Sequence, residues 1–109
     1  MVINEQVSNS AEEVLVELLS RGVAWISTVG HQGEWGHDLF DEEIALREVA
    51  SLSLPPHLVM TTWHPDVEEG VWFALFGAYS EEVAFQRVAI LDMTARVEQD
   101  RIHAYLSSL

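Results

Sequence analysis

The sequence predicts an α/β domain, a three-layer sandwich in which a small parallel sheet of three or four strands carries helices on both faces. Three observations predict it. Residues 23–29, 57–62 and 88–91 are short, nearly continuous apolar runs with the β-branched and aromatic content of doubly covered strands. Segments with apolar residues at helical spacing stand between them. Strands joined through helices imply parallel pairing by right-handed crossovers. The 109 residues suit a single domain over 1–109.

Each element has its own signal. Met1-Val2-Ile3 is a stub that would add a fourth strand at the sheet edge. Ser10 is expected to start a helix, because Glu13 three residues on completes a capping box. Ala11, Leu15, Leu18 and Leu19 share one face of it, and Gly22 is its stop. Residues 23–29 follow as a buried strand. Residues 30–38 hold three glycines and read as a loop. Asp38 or Asp41 is expected to cap a helix over residues 39–50, with Leu39, Ile44, Leu46 and Val49 as its apolar face.

Pro55 and Pro56 force an extended approach to the strand at 57–62. Pro65 breaks that strand, and Asp66 with Glu69 forms a second capping box. The following helix is expected to run to Tyr79. Val67, Val71, Leu75 and Ala78 form its stripe, which Trp72, Phe76 and Tyr79 widen. Gly70 and Gly77 cost helix propensity, so a close approach to a neighbouring backbone is expected there. Val88-Ala89-Ile90-Leu91 reads as a last strand closed by Asp92. Thr94 is expected to cap a final helix with Ile102, Tyr105, Leu106 and Leu109 facing inward.

Composition limits the chemistry. Eighteen acidic residues face five arginines and no lysine, a formal net charge of -13. Such a surface repels nucleic acid and anionic membranes and favours a basic protein partner or cations. Without lysine there is no Schiff base and no Gly-Lys-Ser/Thr phosphate loop. Without cysteine there is no disulfide or thiolate chemistry. No apolar run approaches the ~20 residues that span a bilayer. The first residues lack the basic and apolar parts of a signal peptide, so a cytoplasmic location is expected. No serine-elbow, dinucleotide or His-Glu-x-x-His motif is present, and no cofactor is implied.

In a parallel α/β sheet, ligands bind beyond the carboxyl ends of the strands. Those ends carry Thr28 and His31, then Thr61, Thr62, Trp63 and His64, then Asp92, with Trp35, His37 and Asp38 in the loop between. The leading expectation is a small acidic binding module, immunity- or inhibitor-like, that meets a basic partner through Trp35, Thr62, Trp63 and His64, with Trp72 either a further aromatic anchor or, like Trp25, part of the core. The second is a hydrolase-like enzyme using His64, His37, Asp66 and Asp92, with a histidine as base. Asp66 is the weakest of these, being committed to its cap. The metal variant places His31, His37 and His64 with a carboxylate on an ion, though their spacing matches no zinc signature. The third is a homodimer that pairs a truncated sheet edge with a second copy.

The run Val59-Met60-Thr61-Thr62-Trp63-His64-Pro65-Asp66, with Glu68-Glu69-Gly70-Val71-Trp72-Phe73-Ala74 after it, resembles a small uncharacterised bacterial family. In that family a strand ends in Val-Met-Thr-Thr-Trp-His and precedes an acidic pair and a helix with a Trp-Phe-Ala core. The stretch from Gly22 to Asp38 is similar to the family's earlier part. Two departures stand out. The family's first strand is longer than Met1-Val2-Ile3, and its loop before the position of Trp35 often holds a cysteine. The resemblance implies the fold and the place of a site, and no reaction.

Overall fold

The computed structural model describes residues 1–6, 8–85, 87–94 and 97–109. Helix α1 (Ser8–Ser20) leads to strand β1 (Trp25–Val29), helix α2 (Gly33–Val49), strand β2 (Met60–His64) and helix α3 (Val67–Trp72). A π-helical turn (Phe73–Gly77) continues α3, and helix α4 (Gln99–Ser108) closes the chain. The class is mixed α/β, and β1 and β2 pair in parallel, with Trp25 opposite Met60 and Val29 opposite His64. Among the described residues, only these two strands form. Met1-Val2-Ile3 does not become an edge: Val2 bridges Val29 on one side and Asp92 on the other. The expected strand at 88–91 is absent. Its one ladder contact is the Asp92 bridge, so only Val2 offers it a partner, and Val88 stands exposed.

Alternation along β1 feeds two separate cores. Ile26 packs with Ala11, Leu15 and Leu19 of α1 and Phe40 of α2. Val29 packs with Val2, Val67, Val71 and Ile102, joining α3 and α4. The face of α1 is as expected from its spacing, but its start is not. Ser10 lies inside the helix as its third residue. The end follows the expectation at Gly22, which has φ 77°. There the Val23 N–H reaches the Leu18 carbonyl at 3.1 Å and the Gly22 N–H reaches Leu19 at 3.2 Å, the paired bonds of a Schellman motif.

Helix α2 begins at Gly33, six residues before the expected 39. The glycines that read as loop signals are packing devices. A Cβ on Gly33 would lie 2.9 Å from the Thr28 carbonyl oxygen, and one on Gly36 would lie 2.7 Å from Ile3 Cδ1. The helix start is thereby pressed onto β1, and the Thr28 hydroxyl donates to the Gly33 carbonyl. Asp38 and Asp41 are therefore interior residues; the N-cap is Gln32, without a side-chain bond. Leu46 and Val49 are exposed, so the inward face rests on Phe40, Leu39 and Ile44. The helix ends in a second Schellman pair, Leu52 N–H to Arg47 at 2.9 Å and Ser51 N–H to Glu48 at 3.3 Å.

Asp66 caps α3 as expected, accepting the Glu69 N–H at 3.0 Å. Gly70 provides the close approach: a Cβ there would sit 2.0 Å from Val29 Cγ1. Gly77 instead meets its own turn, with the Phe73 ring 2.7 Å from a built Cβ. Helix α4 starts at Gln99. Thr94 serves the turn before it, accepting the Glu98 N–H at 3.2 Å. Residues 95 and 96, expected in this helix, lie outside the described residues. Ile102 is buried and Tyr105 half-buried, whereas Leu106 and Leu109 are exposed.

Two substitutions test this packing. Ser51 holds φ 55°, a left-handed conformation that costs a side chain about 1 kcal/mol. Ser51→Gly is expected to raise unfolding free energy by about 0.5–1 kcal/mol in urea titrations. Gly70→Ala gains helix propensity of about 1 kcal/mol but overpacks the Val29 contact, for a net loss of about 1–3 kcal/mol. Combining it with Val29→Ala should cost less than the sum of the two; strict additivity would show that the contact is not what matters.

Candidate functional site

The carboxyl ends of the strand rows frame a crevice of about 350 Å³, lined by Asn4, Gly30, His31, Pro65, Asp66, Val67, Glu98 and Arg101. Two of these positions, His31 and Asp66, were legible from topology. The others were not. Arg101 stands one turn into α4 and draws three carboxylates together. Its Nη2 lies 2.8 Å from Asp66, its Nε 3.2 Å from Glu68 and its Nη1 3.6 Å from Glu98. The Asn4 amide donates to Glu98 at 3.4 Å and accepts the His31 N–H at 3.3 Å. The crevice rim is thus a tie between the N-terminal segment, α3 and α4, in which one guanidinium serves three carboxylates. The Glu98 and Arg101 spacing of three, a helical pair, is the only signal for it in the sequence.

The remaining candidates fall on different faces. Trp35 is half-buried against the α1–α2 core and not free for binding. His37 lies on α2, with Nδ1 3.3 Å from Asp38 and Nε2 3.3 Å from Asp41. Asp41 also accepts the Thr61 hydroxyl, which ties α2 to β2. In a hydroxyl-activating triad the imidazole stands between hydroxyl and carboxylate. Here the carboxylate is in the middle, so the Thr61 hydroxyl faces Asp41 and no imidazole stands beside it. Asp92 accepts the backbone N–H of Thr94 at 2.9 Å together with its hydroxyl, closing a turn. Trp63 is 41% exposed.

Thr62 and His64 face α3. The Thr62 hydroxyl takes the Trp25 Nε1–H at 3.2 Å and meets Ser27 Oγ at 2.9 Å. Both groups thereby acquire a structural duty. The His64 ring lies 4.8 Å from Phe73, centroid to centroid. Among the described residues its Nε2 is the one buried side-chain polar atom without a hydrogen-bond partner. Burial holds the His64 pKa below the usual imidazole value, with Glu69 opposing. Among the described residues, no carboxylate is hydrogen-bonded to this ring. Nor, among the described residues, is there any group of three His, Asp or Glu side chains placed to hold a metal ion, and His31, His37 and His64 stay apart.

Trp72, which the sequence left open as an anchor or a core residue, is 49% exposed, and Phe76 and Tyr79 after it, expected to widen the inward stripe, are 61% and 70% exposed. The Trp72 and Phe76 rings lie 5.6 Å apart. Trp72 is followed by the π-helical turn, closed by the Ala78 N–H on the Phe73 carbonyl at 2.9 Å. Its wider winding breaks the regular helical stripe that the sequence spacing assumes.

A family model described as a domain of unknown function, DUF7684, matches residues 1–109, and the chain belongs to that family. No curated protein and no solved structure matches it. Among the described residues, no helix is long and apolar enough to cross a membrane.

The buried groups set a pH dependence. Burial pushes the Met1 amine down to about 5, and it lowers His64 from 6.5. Both are bases that the folded state keeps neutral, so the unfolded chain binds more protons and stability rises with pH. The amine's window runs from about 5 to 8; that of His64 begins at 6.5 and extends downward. Urea unfolding should show stability falling as pH drops from 8 to 5. His64→Phe should flatten the slope only below 6.5. An unchanged slope there would remove His64 from the account.

Proposed function

We propose that this member of a family without an assigned activity is a small acidic binding module, immunity- or inhibitor-like, that engages a basic protein partner in the cytoplasm. The observation that carries the reading is the exposed aromatic ridge of Trp72, Phe76 and Tyr79. Exposed aromatic residues in contact are the usual anchors of protein interfaces, and a monomer rarely leaves them open without use. Glu69 precedes the ridge and Glu81 and Glu82 follow it, all exposed, on a chain with a net charge of -13. An acidic rim around apolar anchors favours a basic counterpart and speeds its approach. Trp63 is a second accessible aromatic; Trp35, Thr62 and His64 drop behind it because each is packed or engaged. In this reading the bridges at Val2 and Asp92 are the third and fourth rows of a three-layer sandwich, which gives α3 a rigid base.

One observation favours homodimerisation as a second reading. Strand β2 has a single strand neighbour, carries no charge, and exposes Met60 and Trp63. An open, uncharged edge of this kind invites pairing with another copy.

Affinity capture from cells expressing the protein, followed by mass spectrometry, separates the two. The basic-partner reading expects a cationic protein that elutes as salt is raised. The double variant Trp72→Ala, Phe76→Ala, folded by circular dichroism, should weaken the complex at least tenfold. Capture that ignores both salt and the double variant would sink it. Twice the chain mass by light scattering, strengthened by salt as the like charges are screened, would support the dimer instead.

A further inference from the structure

A second cleft lies away from the strand ends, beside the amino end of β1, with a volume of about 580 Å³. That volume suits a small ligand, whose sites span about 300–1,000 Å³. Its walls are mixed, with apolar side chains forming the body and Arg21, Ser27 and Arg87 adding polar groups. Trp25 and Phe85 meet edge-on there at 6.5 Å, Val88 stands open beside them, and Ala74 and Ala78 contribute small side chains that leave the space clear.

Charge around the cleft inverts that of the whole chain. Eighteen residues are acidic, yet among the described residues none lines this space, whereas two of the five arginines, Arg21 and Arg87, do. Arg21 holds Glu17 through its Nε at 2.6 Å. Arg87 makes no ion pair among the described residues. An apolar pocket edged by guanidinium groups selects a molecule with an apolar body and one anionic end. It disfavours the basic partner inferred for the aromatic ridge, so the two sites take different ligands. The π-helical turn serves both, with Phe76 on the ridge and Ala74 in the cleft.

We propose that this cleft binds a small amphipathic anion of the medium-chain carboxylate class, with its carboxylate at Arg87 and its chain against Trp25 and Phe85. Dodecanoate and dodecanol are the probes, titrated by calorimetry below their aggregation limits. Dodecanoate should bind about tenfold more tightly than dodecanol. Arg87→Ala should erase that preference and leave dodecanol binding unchanged, and Arg87→Lys should restore part of it. Ala74→Trp, which fills the cleft, should abolish binding of both, with circular dichroism confirming the fold. Equal affinity for the two probes, absence of binding, or undiminished binding to a folded Ala74→Trp variant would each overturn the proposal. None of these outcomes touches the aromatic ridge, whose test uses other residues and a protein ligand.

Discussion

Everything in this molecule depends on how closely two helices approach the β1–β2 pair. At Gly33 and Gly36 the start of α2 lies against Thr28 and Ile3, and at Gly70 α3 lies against Val29. A methyl group at any of the three would overlap a neighbour closer than real Cβ atoms come. Two strands of five residues each offer little surface. Bringing helix backbone nearly into contact with them is how so small a sheet organises two separate cores. Glycine costs each helix propensity, and the burial of Phe40, Val67 and Val71 offsets it.

The sequence made legible what is decided locally. The Gly22 stop, the Asp66 cap, the parallel strands and the inward face of α1 all follow from backbone chemistry or from spacing within one element. What is decided between elements was hidden. Glycines that signal a loop in isolation open α2, because the space above Thr28 admits nothing larger. The run at 88–91 has strand composition but finds only Val2 to pair with. Thr62 looked free until the Trp25 and Ser27 groups of the neighbouring strand were placed beside it. Arg101 lies 35 residues from Asp66 in sequence, and no pattern within α4 announces that contact.

The candidate site shows the same division. The carboxyl ends of the strand rows do frame a crevice, as topology implies, with His31 and Asp66 on its rim. Its polar groups, however, are spent on one another: Asp66 on a cap and on Arg101, Asn4 on Glu98 and His31. Their duty is to fasten the N-terminal segment to α3 and α4. The exposed aromatic surface lies on α3, its π-helical continuation and the residues just after it.

That π-helical turn also makes the fold sensitive to chain length in a place where most helices tolerate change poorly but predictably. A turn closed between Phe73 and Ala78 holds one residue more than an α-turn. Deleting a single residue between them would let the helix continue as a regular α-helix, and everything beyond it would turn by about 100°. Tyr79 would swing off the ridge and Ala78 out of the cleft together. Relatives that keep the same side chains but differ by one residue here would present a different surface, so the length of this segment, as much as its composition, defines the shape of that surface.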